Sequence, residues 1–293
     1  MNMDFKSAKE LLALCAENAL PISEVMRRRE CLLGEVERDA VDRRMAKAWD
    51  IMRASATQPL ETPIKSMGGL IGGEAKTLQA HAAEGKGICG DVLQKAMTYA
   101  MAVLEVNASM GLIVAAPTAG SAGVVPGLLL ALQECYDLPD GRIVDALFNA
   151  GAVGYLAMRN ATVAGAVGGC QAEVGIASAM AASAAVELLG GTPQQCLDAA
   201  STVLMNMLGL VCDPVGGLVE YPCQNRNAAG VANALVAAEM ALSGIRQLIP
   251  FDQMLEAMYA VGKRLPAELR ETALGGCAAT PAACAACGLC SGN

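Results

Sequence analysis

Three cysteines in turn-rich, polar surroundings are the residues of this sequence best suited to bind a metal. Cys212 and Cys223 stand eleven residues apart in "VCDPVGGLVEYPCQNRN", and Cys170 lies in "VAGAVGGCQAEVG". Thiolate ligands need backbone amides close to the sulfur, and glycine allows that approach. The spacing differs from structural zinc sites but is compatible with an iron-sulfur cubane that leaves one iron without a protein ligand. Spacing alone leaves metal binding and core packing both open.

Most of the other cysteines are expected to have no chemical role. The chain has 12 cysteines, which without a secretory pattern indicate reduced thiols rather than a disulfide scaffold. Cysteine behaves as a small hydrophobe on Ala- and Leu-rich helices. Four thiols fit that description: Cys15, Cys31, Cys135 and Cys196. Cys89 lies in the glycine turn "GKGICGD", where both core packing and a functional role remain open.

The C-terminal cysteines Cys284, Cys287 and Cys290 form a separate pattern. Their CxxCxxC spacing in "CAACGLCSGN" is typical of ferredoxin-type ligation, but the fourth cysteine and proline of that motif are missing. The pattern therefore favours a tail that donates one thiol over a second cluster. Cys277 is a further candidate for that donor.

Acid-base chemistry has few candidates in this chain. His81 is the only histidine, and its context "LQAHAAEG" is typical of a solvated helix residue. Lys65 precedes no phosphate-binding βα pattern, so a pyridoxal lysine is not expected. A reaction that needs a histidine base must use His81 or receive a base from a partner.

Helices must position these residues. Residues 4–55 are charged, with apolar positions at helical spacing, and predict two or three amphipathic helices on the outside. From about residue 60, five glycine-rich turns alternate with nearly uncharged helical runs, and period-2 strand patterns are almost absent. Thr192, Pro193 and Gln195 predict a capped helix start. The sequence therefore predicts an all-α fold.

Composition and charge exclude several other functions. The net charge of -8 argues against nucleic-acid binding, which needs a basic face. The N-terminus lacks the pattern of a signal peptide, so a cytoplasmic protein is expected. The longest apolar run, "MTYAMAVLEVNASMGLIVAA", contains Glu105 and Asn107 and predicts a buried helix pair rather than a membrane span.

Several long blocks resemble one enzyme family. "SMGGLIGGEAK", "EVNASMGLIVAAPTAGSAGVVPG", "GGCQAEVGIASAMAASAAVELLGG", "NMLGLVCDPVGGLVEYPCQNRNAAG" and "ETALGG" closely resemble the iron-sulfur-dependent L-serine dehydratases, specifically their α chain. The resemblance covers residues 60–276, and "PISEVMRRRE" resembles the start of that family. It implies N-terminal helices over residues 1–58, a helical catalytic core over 59–276 and a Cys-rich tail over 277–293.

The resemblance also implies a cofactor and a reaction. Cys170, Cys212 and Cys223 match the family's three ligands of a [4Fe-4S] cluster, whose fourth iron acts as a Lewis acid in the β-elimination of L-serine to pyruvate and ammonia. One-chain members carry a preceding regulatory domain that this length does not accommodate, which implies a separate β chain and an oligomer. In the family, a histidine base is thought to come from the β portion, and a C-terminal cysteine folds back onto the free iron.

Polar residues beside the glycine turns are the expected substrate contacts, although the asparagines and Thr118 could equally cap helices. Arg226 suits a carboxylate clamp because its planar fork makes bidentate contacts. Two alternatives remain: L-cysteine desulfidation on the same scaffold, and a non-enzymatic iron-sulfur scaffold or electron carrier. The expected substrate-binding residues are Ser66, Asn107, Thr118, Ser121, Arg226 and Asn227.

Overall fold

The computed structural model describes residues 3–287, and its fold is all-α as the sequence predicts. Within these residues there is no β-strand, and one isolated backbone bridge pairs Cys212 with Arg270. A π-helical turn spans Gln171–Gly175, between the eighth and ninth helices. The helices are α1 (Ala8–Asn18), α2 (Ile22–Gly34), α3 (Arg38–Glu61), α4 (Glu74–Ala83), α5 (Gly90–Ala108), α6 (Val124–Tyr136), α7 (Asp140–Asn160), α8 (Gly165–Gly168), α9 (Ile176–Leu188), α10 (Pro193–Met207), α11 (Cys223–Leu242), α12 (Phe251–Gly262) and α13 (Pro281–Cys287).

Helix α9 lies at the centre of the core, because nearly all of its residues are buried. It packs against α6, α7, α10 and α11. Its many alanines allow this close approach, since small side chains shorten the distance between helix axes. At Gly230 of α11, an added Cβ would lie 2.7 Å from the Ser178 hydroxyl of α9. The low aromatic content of the sequence is therefore matched by a tightly packed aliphatic core.

The charged N-terminal region forms three amphipathic helices, α1–α3, in agreement with the two or three predicted, but α3 continues six residues past the predicted limit of residue 55. Arg27 of α2 is buried and bonds to Glu24, to Asp42 of α3 and to Asp145 of α7. Its guanidinium also stacks 4.4 Å from the centroid of the Phe148 ring. A buried cation requires such compensation, so this cluster fastens α2 and α3 to α7. The division into three regions stays a prediction.

Two local predictions have opposite outcomes. Thr192 caps α10 in a reciprocal box with Gln195, as predicted. The predicted helix pair in residues 97–116 is wrong, because α5 ends at Ala108 and a non-helical loop follows. Met110 adopts a left-handed conformation with φ 63°, and Gly111 packs so closely on Val106 that an added Cβ would lie 2.6 Å from its side chain. This tight reversal ends the helix.

The thiols outside the site mostly pack as expected. Cys15 and Cys196 are buried, and burial raises the pKa of Cys15 to about 12. Cys31 and Cys89 are half-buried, whereas Cys135 is exposed at the end of α6, so core packing is the wrong prediction for that residue. The residues of α6 after Leu132 are half-buried or exposed, and Cys135 is among the exposed ones.

His81 is exposed on α4, as the sequence predicts. Among the described helices, none combines the length and hydrophobicity that a membrane span requires.

Candidate metal centre

The structure brings two of the three predicted ligands together with a carboxylate. The sulfurs of Cys170 and Cys212 and a carboxylate oxygen of Glu173 all lie within 4.8 Å of one another. Glu173 Oε2 lies 3.7 Å from Cys212 Sγ. Cys223, the first residue of α11, is also buried, but its sulfur is outside this close group. Two thiols, a third thiol on an adjacent helix and one carboxylate therefore form the candidate centre.

A π-helical turn presents Cys170 and Glu173 on the same side. Such turns insert an extra residue into a helix and are frequent at functional sites. Gln171, buried, holds the turn in place: its Nε2 donates to the carbonyls of Gly168 and Met258, and its Oε1 accepts the N–H of Gly209. Gly169, directly before Cys170, has a φ of 75°, and an added Cβ at this position would lie 2.8 Å from the Leu210 carbonyl oxygen. Sequence analysis missed the positioning role of Gln171.

Cys212 is held by its backbone rather than by a helix. Its N–H donates to the carbonyl of Leu269 at 2.9 Å, and its carbonyl accepts the N–H of Glu271 at 2.7 Å. On the other side, Gly165 approaches so closely that an added Cβ would lie 3.0 Å from Cys212 Sγ. The segment 269–271 and the start of α8 thus enclose the thiol.

The electrostatics favour one thiolate in the pair. A hydrogen bond from Cys212 lowers the pKa of Cys170, and the same bond raises the pKa of Cys212, because the proton stays on Cys212. Burial raises the pKa of Cys223 to about 12, and the negative charge of Cys170 acts in the same direction. Burial also raises the pKa of Glu173. Cys170 is thus the favoured thiolate, whereas the raised pKa values of the other two thiols and of Glu173 favour their protonated forms; binding of a metal would release those protons.

Four glycine-rich segments converge on the fifth, the loop between Cys212 and Cys223, and on the neighbouring Glu173. Segment 66–73 bonds to Glu220, segment 118–123 bonds to Glu173, and segment 165–169 encloses Cys212. Segment 273–277 reaches Asp213 through the N–H of Cys277, at 2.6 Å from Oδ2. Loops that only cross the surface do not require so many glycines. Segments that must meet at one place do, because glycine has no side chain and lets their backbones approach closely.

Arg226 lies at the site but is already engaged. Its Nη1 is 2.7 Å from Oδ1 of the buried Asp213 and 2.9 Å from the carbonyl oxygen of Val211. The short N–O distance marks an ion pair whose atoms are poorly aligned for a hydrogen bond. Arg226 also hydrogen-bonds to Cys170, which contributes to the lowered pKa of that thiol. The structure therefore assigns Arg226 a charge-balancing contact within the site.

Asn227 and Ser66 are occupied by the protein itself. Asn227 is fully buried; its Oδ1 accepts the N–H of Gly123, and its Nδ2 donates to the carbonyls of Gly120 and Cys223. Ser66 is buried and donates to Glu220 at 2.7 Å. Both side chains join glycine segments to the cysteine loop.

Asn107 lies near the Ser66 segment, at the end of α5. The N–H of Met67 donates to the carbonyl of the neighbouring Ala108 at 2.9 Å. Asn107 itself is half-buried. Its role in substrate binding stays a prediction.

Thr118 and Ser121 do lie beside the centre, because they bond to Glu173. The Thr118 hydroxyl donates to Glu173 Oε1 at 2.9 Å, and the Ser121 hydroxyl lies 3.0 Å from that of Thr118. The two residues also cap the short helical turn Ala119–Ser121. Glu173 was not among the residues selected from sequence. Its position three residues after Cys170 places both on one side of a helical turn and was the available signal.

The described part of the tail packs near the loop but directs two thiols elsewhere. Helix α13 packs against the turn Val215–Gly217. The Cys284 thiol contacts the carbonyl of Ala278 and the Cys287 thiol that of Cys284. Cys277 is held at Asp213, and burial raises its pKa. Cys290 lies outside the described residues.

The donor set fits a thiophilic metal centre. Buried sulfur ligands suit zinc, copper(I) or iron-sulfur clusters rather than magnesium or calcium. Gly165 packs directly against Glu173 and Cys212, and an added Cβ there would collide with the Glu173 carboxylate and lie 3.0 Å from Cys212 Sγ, so no larger residue fits beside these two donors. Arg226 and Gln171 supply the outer contacts that orient ligands in metal sites.

An all-helical domain with buried sulfur ligands in a glycine-lined site is thus the class that the fold and site define. Comparison with known proteins specifies it further: the family model for the serine dehydratase alpha chain matches residues 17–290, and the chain belongs to that family. It is 48% identical over 277 residues to the probable L-serine dehydratase, alpha chain, of Bacillus subtilis (strain 168), covering 94% of this chain and 92% of that protein.

Two further relatives differ from each other in how much of their length the match covers. The chain is 45% identical over 272 residues to the L-serine dehydratase, alpha chain, of Peptoniphilus asaccharolyticus, with 93% of each chain covered. It is 38% identical over 286 residues to the L-serine dehydratase of Helicobacter pylori (strain ATCC 700392 / 26695), covering 94% of this chain but only 62% of that protein. The Helicobacter relative therefore carries a further region that lies outside the match.

Proposed function

We propose that this chain is the catalytic α chain of an L-serine dehydratase, which converts L-serine to pyruvate and ammonia. The observation that carries the proposal is the group formed by the buried thiols of Cys170 and Cys212 with the half-buried Glu173, in a member of the serine dehydratase alpha chain family. Relatives that cover this chain almost completely are named L-serine dehydratase. The donor set supports a [4Fe-4S] cluster held by Cys170, Cys212 and Cys223.

The reaction needs help at both ends of the substrate. The α-proton of serine is weakly acidic and hydroxide is a poor leaving group; when bound, the cluster supplies Lewis-acid chemistry at the carboxylate and hydroxyl. A base takes the α-proton as the C–O bond breaks, and the resulting enamine tautomerises to an imine that hydrolyses to pyruvate and ammonia. Arg226 balances the thiolate charge, and Thr118 orients Glu173.

A separate β chain is part of the proposal, and an exposed apolar surface supports it. We define the apolar rim as Met67, Met110, Leu112 and Leu218; their exposed fractions are 75%, 81%, 71% and 38%. Met67 is backbone-bonded to the end of α5, and Leu218 packs beside Gly68. Exposed apolar side chains grouped beside a functional site mark an interaction surface. The partner is the chain that corresponds to the region by which the Helicobacter relative exceeds this one.

The test is anaerobic purification of the chain with and without a β chain, followed by iron analysis and assays of serine deamination. We expect about four irons per chain, and pyruvate release that requires the β chain. Sulfide release from L-cysteine without serine turnover would instead support a desulfidase. Absence of iron from both preparations contradicts the cluster, and Cys212→Ser should abolish both iron binding and activity.

A further inference from the structure

Glu173 has no cation among the described residues that act on it. The groups that act on it are the Thr118 hydroxyl, the Cys212 thiol and the Glu271 carboxylate, and none of these is a cation. Arg226, a cation of this site, pairs with Asp213 and bonds to Cys170. Within the described residues, Glu173 therefore has no cationic contact of its own, and its carboxylate can accept a hydrogen bond from a positively charged ligand group.

The carboxylate is held in a fixed direction. Thr118 donates to Oε1 at 2.9 Å, and Ser121 supports Thr118 at 3.0 Å. This hydroxyl chain leaves Oε2 on the side of Cys212, at 3.7 Å from its sulfur. Oε2, which accepts only the weak hydrogen bond of the Cys212 thiol among the contacts described, thus lies where a substrate bound beside the thiols would place its polar groups.

The environment also admits a small ligand group. Gly120 faces Oε1, so that an added Cβ there would lie 3.6 Å away, and Gly165 lies beside Oε2 and the Cys212 sulfur. A side chain at Gly165 would collide with the carboxylate. Glu173 itself is half-buried, whereas Cys170 and Cys212 are buried, so part of the carboxylate side chain stays accessible to a compact cation such as an ammonium group.

We propose that Glu173 binds the α-ammonium group of the substrate and thereby selects α-amino acids over α-hydroxy acids. The inference rests on the proposed function, because it takes an amino acid as the substrate. Serine offers two kinds of charge: its carboxylate suits a cationic centre, and its ammonium suits a carboxylate. A charge-assisted N–H···O bond to Glu173 stabilises the ammonium form in the site.

The test uses the αβ holoenzyme and two unreactive ligands, L-alanine and L-lactate, which differ in having an ammonium or a hydroxyl group. Calorimetry gives the ratio of their dissociation constants. Glu173→Gln keeps the shape and the hydrogen bond from Thr118 but removes the charge. We expect wild type to prefer L-alanine and the variant to lose about tenfold to hundredfold of that preference, which is the effect of one hydrogen bond to a charged group.

Three comparisons make the experiment decisive. Glu271→Gln removes an exposed carboxylate that acts on Glu173 from a distance, and it should leave the preference within about threefold of wild type, as for a screened surface charge. Thr118→Val keeps the charge of Glu173 but not its orientation, so an intermediate loss is expected. In Glu173→Gln, the KM for L-serine should rise while iron content and the visible spectrum stay unchanged.

Each other outcome overturns the inference. Loss of iron or an altered cluster spectrum in Glu173→Gln would make Glu173 a metal ligand, and an unchanged alanine-to-lactate ratio would leave it without a role in recognition. Wild type that binds neither ligand also contradicts it. Failure of the proposed function is a separate result: the wild-type holoenzyme would contain iron and prefer L-alanine, yet release no pyruvate from L-serine.

Discussion

The hydroxyl of Ser66 donates a hydrogen bond of 2.7 Å to Oε2 of Glu220, 154 residues further along the chain. The same carboxylate accepts the N–H of Gly68 at 2.6 Å and that of Leu70 at 2.9 Å. Glu220 is 2% exposed and lies three residues before Cys223. One buried carboxylate thus joins the first glycine segment to the loop that carries two of the candidate ligands.

Ser66→Ala should therefore act through the loop. We expect the free energy of unfolding to fall by about 1–3 kcal/mol, because Glu220 loses a buried donor. Urea unfolding measures this loss. Ser243→Ala, which removes an exposed hydroxyl bonded to Met240, is the control and should cost less than about 0.5 kcal/mol. Unchanged stability combined with a higher KM would instead place Ser66 in substrate contact.

Arg226→Gln should destabilise the fold because it leaves Asp213 buried and unpaired. Removing one partner of a buried ion pair costs about 3–5 kcal/mol. Chemical denaturation should show this loss, together with a lower iron content. Arg53→Gln breaks an exposed pair with Asp140 and serves as the control. If Arg226→Gln keeps its stability and only raises the KM for serine, the substrate-clamp role predicted from sequence is correct.

Glu105 should make stability depend on pH. Burial raises its pKa above the usual 4.5, and its Oε2 has no hydrogen-bond partner. The folded state therefore holds the proton more tightly than the unfolded state, so this contribution is complete below pH 4.5 and is lost as pH rises through the folded pKa. Glu105→Gln should remove this pH-dependent loss of stability.

Denaturation from pH 5 to 8 checks the Glu105 prediction. The stability of wild type relative to Glu105→Gln should fall as the pH rises, since only wild type must ionise or retain a proton at this position. Glu239→Gln, on the exposed side of α11, should show no such trend. A constant difference between wild type and Glu105→Gln would contradict the prediction.

The tail should protect the metal centre. We expect a variant with Cys284, Cys287 and Cys290 all changed to Ser to bind iron normally but to lose it faster in air, because a thiol that can reach an open iron shields it. The rate of loss of visible absorbance measures this. Cys135→Ser, at an exposed thiol on α6, is the control. Equal rates in all three proteins would show that the tail thiols do not reach the centre.

The apolar rim should bind the β chain. Met67→Asp with Leu112→Asp places two charges on this surface and should weaken association with the β chain by at least about tenfold, as expected when interface anchors are lost. Titration of the labelled chain measures the affinity, and circular dichroism checks the fold. Leu248→Asp, the control, alters an even more exposed apolar residue outside the rim. Full association of the double variant would place the interface elsewhere.

Helix positions were largely predictable because they depend on local rules. Thr192 and Gln195 form a four-residue pattern that predicts a helix start, and amphipathic spacing predicts α1–α3. The end of α5 was not predictable in this way, since Met110 carries no sequence signal for a left-handed turn. The apolar stretch after it resembles a helix in composition alone.

The sequence by itself determined the helical class, the family resemblance and the three candidate thiols, because composition, caps and block order are local or linear properties. Only the tertiary structure decided which polar groups meet them. It placed Glu173 against Cys212, engaged Arg226 with Asp213 and enclosed Asn227 among backbone groups. These partners lie 39, 13 and 104 residues apart in the chain, and packing rather than local propensity determines such contacts.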